Sequence, residues 1–100
     1  MVRHLVRHVV KVGEGEHFTA AAAKLNAAAS AAGLPVYRFY DALWGDLNEV
    51  WSEADYESVE AHLRGLKAAG PEFRNALRSM LSHTVEGSVH DYMLEERSLG

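Results

Sequence analysis

The feature that most constrains this chain is a change in the spacing of its apolar residues. From Val2 to Val12 they alternate: Val2, Val6, Val10 and Val12 share one side with His4 and His8, and Arg3, Leu5, Arg7, Val9 and Lys11 share the other. β-Branched residues at a period near two predict a strand, and because neither side is cleanly polar, a strand covered on both faces. Which side meets the rest of the protein is open at this point. Gly13 to Gly15 ends the strand. From Glu16 to Ala32 the period becomes helical, with Phe18, Ala21, Ala22, Leu25, Ala28, Ala29 and Ala32 in one stripe. Alanine is the best helix former, and its small side chain lets a helix lie close to a sheet. Gly33 is placed to cap this helix, and Pro35 prevents its continuation.

Val36–Trp44 and Leu47–Glu53 then read as two strands around Gly45-Asp46, a dipeptide suited to a two-residue type II′ turn. That turn sets Tyr40 opposite Trp51 and Arg38 opposite Glu53 on one face, with Phe39, Leu43 and Val50 on the reverse. Ser52 with Asp55 three residues later resembles a capping box and predicts the start of a second helix, its stripe carried by Val59, His62, Leu63, Leu66 and Ala69. Gly70-Pro71 breaks that helix and begins another through Phe73, Ala76, Leu77, Met80 and Leu81. Val85–Glu95 is the last strand. The order is β, α, β, β, broken α, β, an α+β arrangement of the ferredoxin-like βαββαβ type, with an antiparallel sheet and the helices on one face.

At 100 residues the chain has room for one domain, residues 1–100. A chain of this size buries only about 60–65% of the surface that it exposes unfolded. With 48% apolar residues, pairing with a second copy over the sheet face free of helices is the expected way to add burial, so a homodimer is expected. The net charge is −4 with both signs dispersed, and no basic block or RNA-reading motif occurs; nucleic acid is not an expected partner. No apolar run approaches the length of a membrane span, and the charged start of the chain does not read as a signal peptide, so a cytoplasmic protein without a membrane partner is expected. The absence of cysteine removes disulfides, thiolate chemistry and cysteine-based zinc sites.

Glu49-Val50-Trp51 followed by Tyr56, Val59, Glu60, Ala61 and His62 resembles the third strand and second helix of antibiotic-biosynthesis-monooxygenase-like domains, within the dimeric α/β barrel superfamily. Gly70-Pro71-Glu72-Phe73 is similar to the step in the second helix of the NIPSNAP-like branch. The resemblance implies a homodimer with facing sheets, and a cavity between each sheet and its helices. Some members oxidise aromatic polyketides with oxygen and no cofactor. Others degrade haem with an Asn, a Trp and a His; Trp51 and His62 match in kind, but no Asn occurs from Met1 to Lys24, which counts against haem chemistry.

His62, on an apolar helix stripe, is the candidate catalytic base, since imidazole titrates near neutrality. Trp51 and Tyr40 are candidates for stacking an aromatic ligand, and Arg38 for anchoring or polarising its oxygen. The plainer roles are a core-margin histidine, sheet or interface packing, and an Arg38–Glu53 ion pair. His4 and His8 lie about 13 Å apart on a strand, so no metal site is expected, and no cofactor. The functional expectation is a cofactor-independent monooxygenase-like enzyme acting on an aromatic or polycyclic small molecule; the alternative is a non-catalytic ligand-binding or structural homodimer.

Overall fold

The computed structural model describes residues 1–100. Its elements are β1 (Val2–Val9), α1 (Gly15–Ala31), β2 (Arg38–Asp41), β3 (Glu49–Tyr56), α2 (Val59–Ala68), α3 (Pro71–Ser82) and β4 (His90–Glu95). The strands form one sheet in the order β2-β3-β1-β4, with every neighbour antiparallel. This is the ferredoxin-like α+β arrangement.

The valine-rich first strand takes a central position, paired to β3 on one side and β4 on the other. Val2, Val6, His8 and Val10 are buried on the face carrying the helices, which settles the orientation of β1. The core joins Val10 to Phe18, Leu25 and Ala29 of α1 and to Phe73, Ala76 and Met80 of α3. Ala29 is wholly buried; a larger side chain there would hold α1 off its neighbours. α1 ends as its sequence predicts. Gly33 takes φ +73°, its N–H donates to Ser30 O, and the N–H of Leu34 donates back to Ala29 O at 2.8 Å. These paired bonds form a Schellman motif, and the positive φ suits a residue without Cβ.

Two elements begin later than their local signals suggest. β3 continues to Tyr56, so Ser52 is a strand residue opposite Val6 and Phe39, not a helix cap. The reason is tertiary: Ser52 and Ala54 are 2% and 1% exposed, and the alternation of inward Val50, Ser52, Ala54 and Tyr56 outweighs the capping-box pattern. The true cap is Ser58, whose Oγ accepts from the Ala61 N–H at 3.0 Å. Replacing Ser58 by alanine is expected to cost about 1 kcal/mol, read as faster amide exchange across α2; unchanged exchange would show that the cap is idle. β4 begins at His90 rather than Val85. Val85 donates its N–H to Val9 O, and the chain then turns through Gly87 before pairing with β1.

Both strands also stop farther from Gly45-Asp46 than predicted. β2 ends at Asp41 and β3 begins at Glu49, so a long connection replaces the two-residue turn. The register nevertheless holds: Tyr40 lies opposite Trp51 and Arg38 opposite Glu53. The connection opens symmetrically about Gly45-Asp46, and Ala42 N–H still donates to Glu49 O. Phe39 and Val50 pack against the core as their shared face requires, whereas Leu43 is 97% exposed in the connection.

α2 is the loosest element. His62 is its one buried residue, while Val59, Leu63 and Leu66 remain part-exposed. Ala69 leaves the helical region with ψ 129°, and Pro71 starts α3 in its first turn. Arg74 Nη1 donates to Ala69 O at 2.7 Å and ties down the break. No helix is long and apolar enough to cross a membrane.

Candidate active site

Between the sheet and the helices lies a cavity of about 240 Å³. Leu25, Phe39, Phe73, Leu77 and Met80 give it apolar walls. Its polar groups come from the inward positions of three strands: His4 and His8 of β1, Ser52 of β3 and Asp91 of β4, joined by Tyr37 and by His62 of α2. Strand alternation is what gathers them, because His4, His8, Ser52 and Asp91 all fall on the helix-bearing face.

Three of these polar residues form a chain that Tyr56 extends beyond the cavity wall. Asp91 Oδ2 lies 3.2 Å from His4 Nε2, His4 Nδ1 lies 2.6 Å from the Tyr37 hydroxyl, and that hydroxyl lies 3.1 Å from the hydroxyl of Tyr56. A carboxylate only accepts, so His4 Nε2–H donates to Asp91. In that tautomer His4 Nδ1 accepts from the Tyr37 O–H, and the Tyr37 oxygen accepts from Tyr56. Tyr37 is held from behind: Asn26 Oδ1 accepts from its backbone N–H and Asn26 Nδ2 donates to its carbonyl, both at 2.8 Å. Burial pushes the Tyr37 phenol well above its usual range, so it serves here as a neutral hydrogen-bonding group. The Asp91 end reaches solvent, its side chain being 72% exposed.

His62 completes this end of the cavity. Its ring centroid lies 4.5 Å from that of His4 and 4.6 Å from that of Tyr56. Burial lowers its pKa, assisted by His4 and opposed by Asp91, which keeps the imidazole neutral and able to accept a proton near neutral pH. Farther along the sheet, His8 Nε2 lies 3.2 Å from Ser52 Oγ. His8 is 1% exposed, and burial, then His4, lowers its pKa to about 4. No protein group hydrogen-bonds to the Nδ1 atoms of His8 or His62.

The other three candidates from the sequence stand on the opposite face of the sheet. Trp51 stacks on Tyr92 with ring centroids 6.4 Å apart, and its Nε1–H donates to Glu49 Oε2. Tyr40 donates its O–H to Glu53 Oε1 at 2.6 Å, and Arg38 pairs with the same carboxylate at 3.0 Å. The Tyr40 hydrogen bond, then that of Arg38, holds Glu53 below the usual carboxylate range. The fold thus brings Trp51, Tyr40 and Arg38 near one another but puts the sheet between them and His62.

Sequence reasoning singled out His62 but passed over His4, Tyr37, Tyr56, Asp91, His8 and Ser52 as a group. A signal existed for part of it: two histidines on the valine side of a central strand are too polar for a core and too far apart for one ion. Nothing in the sequence tied Asp91 to His4 across the sheet.

Fold and cavity define a class: a ferredoxin-like α+β protein with a ligand-sized space between sheet and helices. No protein-family model matches the chain, and no curated protein matches it. Solved structures do. An antibiotic biosynthesis monooxygenase superposes with a TM-score of 0.78 over 98% of this chain and 100% of that one, at 10% identity. A NIPSNAP domain protein from Burkholderia xenovorans gives 0.79 at 13% identity, over 100% and 98% of the two chains. SnoaB from Streptomyces nogalater, a cofactor-independent oxygenase, gives 0.76 at 18% identity, over 97% and 93%. The resemblance carried by residues 47–73 therefore extends to the whole fold, and at these identities the likeness is one of fold.

Proposed function

We propose that this chain is a cofactor-independent monooxygenase-like oxidoreductase that takes a small aromatic molecule into the cavity and works as a homodimer. The observation that carries the reading is an apolar cavity with an Asp91–His4–Tyr37–Tyr56 chain and His62 at one end. Likeness of fold to SnoaB supports it.

In the proposed reaction a phenolic or enolic substrate gives its proton to His62. The resulting anion is electron-rich at carbon, and that carbon transfers electrons to dioxygen and forms a C–O bond. The peroxide anion takes up a proton to become a hydroperoxide. Loss of water from that carbon leaves a carbonyl, so the balance, written for the keto tautomer, is CH2 plus O2 to C=O plus H2O. His62, once protonated, is the cation beside the anionic oxygen, and the chain from Tyr37 through His4 to Asp91 exchanges protons with solvent.

The open sheet face is the proposed dimer contact. It carries Trp51, Tyr92, Leu94 and Tyr40 beside the ion pairs Arg3–Asp55, Arg7–Glu49 and Arg38–Glu53. Tyr40, Tyr92 and Leu94 are 46%, 47% and 47% exposed, an apolar patch that a second copy would cover.

The test is oxygen consumption with anthrone and with one- and two-ring phenols as probes. Wild-type protein is expected to turn over at least one of them. His62→Ala is expected to lower kcat by about 10²–10⁴-fold, the usual contribution of a positioned general base, without abolishing binding. Binding without oxygen uptake by the wild type would replace this reading with the non-catalytic ligand-binding one.

A further inference from the structure

We propose that the cavity selects neutral, hydroxyl-bearing aromatics of one or two rings and rejects carboxylates and phosphates of the same size; this rests on the cavity being the ligand site and narrows what that site takes. Three observations converge on it.

The first is charge. No lysine or arginine lines the cavity, and Asp91 is its one acidic side chain. Arg3, Arg7 and Arg38 are engaged on the far side of the sheet with Asp55, Glu49 and Glu53, and Arg74 is turned to the Ala69 carbonyl. An anionic ligand would leave water for apolar walls with no cation to meet it and a carboxylate nearby. Burial keeps His8 neutral and lowers the pKa of His62, so neither supplies that cation near neutral pH, and the third histidine of the lining, His4, turns its Nε2 to Asp91 and its Nδ1 to the Tyr37 hydroxyl.

The second is hydrogen bonding. His8 and His62 are 1% and 7% exposed, both line the cavity, and each has an Nδ1 that no protein group satisfies. A neutral imidazole presents a donor or an acceptor there according to its tautomer. A ligand hydroxyl, which donates and accepts, suits both forms; a carboxylate only accepts, and an unsubstituted ring does neither. Leaving such a buried group unpaired costs about 1–3 kcal/mol, so a hydroxyl on the ring gains roughly tenfold or more in affinity over bare hydrocarbon.

The third is size. About 240 Å³ lies below the roughly 300–1,000 Å³ of sites for drug-sized ligands. That volume favours one or two fused rings over a tetracycle.

The test compares 2-naphthol, 2-naphthoate and naphthalene, three probes of nearly one shape, by NMR titration of the full unaltered chain at pH 7. The expected result is 2-naphthol binding at least tenfold tighter than either of the others, with amide shifts on β1, α2 and α3. In His62→Phe the advantage of 2-naphthol over naphthalene should shrink. Tighter or equal binding of 2-naphthoate overturns the charge argument, and equal binding of naphthalene overturns the hydrogen-bonding argument; either leaves the cavity standing as an aromatic site. Shifts confined to the open sheet face, or no binding by any probe, overturn this inference together with the proposed function. Because the comparison uses the wild-type chain, it does not depend on any variant folding.

Discussion

Replacing His8 by leucine should flatten the dependence of stability on pH between about 6.5 and 4. In the folded protein the His8 imidazole stays neutral down to a pKa of about 4, chiefly because it is buried and secondly because of His4. In the unfolded chain it titrates near 6.5. Between these values the unfolded state binds a proton that the folded state refuses, so stability falls as pH falls through that window. The loss from this one residue is about 2–3 kcal/mol. Leucine at position 8 carries no proton and should remove that part of the slope, at the expense of leaving Ser52 Oγ without its partner. Urea unfolding of both proteins from pH 7 to pH 4 measures the difference. Carboxylates held low by their partners, such as Glu53, contribute to both curves near the acid end and cancel in the comparison. Parallel curves for the two proteins would mean that His8 is solvated and protonates freely.

A second large effect is expected at Trp51. In the proposed dimer the Trp51–Tyr92 stack lies at the contact, and truncating a central tryptophan commonly removes about 2–4 kcal/mol of association energy. Trp51→Ala should therefore weaken dimerisation by roughly 30–1,000-fold. His62→Ala, on the other face of the sheet, should leave it unchanged. Sedimentation velocity across micromolar concentrations reads both. A wild-type monomer in that range would remove the dimer from the proposal, and an unchanged Trp51→Ala dimer would place the contact on another surface. The ion pairs Arg38–Glu53 and Arg3–Asp55 add little while exposed. Their weight grows once a partner excludes water, which makes salt dependence of the dimer a useful companion measurement.

The element order was legible in the sequence because it rests on the two strongest local signals, the change of period at Gly13–Gly15 and the Gly-Pro punctuation at Gly33–Pro35 and Gly70–Pro71. The facing of Tyr40 with Trp51 was legible too, from the symmetry of the two strands about Gly45-Asp46, although the two-residue turn expected there is a longer connection. What local patterns misplaced were boundaries decided by distant contacts. Ser52 looks like a cap until Val6 and Phe39 claim it as a strand partner, and Val85 looks like a strand start until Gly87 turns the chain. The site was legible only in its one helical member, His62. Its other members come from β1, β3, β4 and the segment before β2. A bond such as His4 to Asp91 joins residues 87 positions apart, and no periodicity reports it. The same limit explains why Trp51 and Arg38 read as partners of His62: a strand residue and a helix residue can be assigned to elements without revealing that the sheet divides them.

The symmetric connection between β2 and β3 has a bearing on how this chain can vary. Its flanking register is held by the ladder and by cross-strand contacts such as Tyr40 and Arg38 on Glu53, and not by a tight turn. Leu43, Trp44 and Leu47 are 97%, 99% and 82% exposed, and the tip's one side-chain tie to the sheet is the ion pair of Asp46 with Arg7 on the face away from the cavity. Length and composition there are free to drift without moving a residue of the cavity. The tip is consequently a natural place for an insertion, whether a short tag or a whole foreign domain.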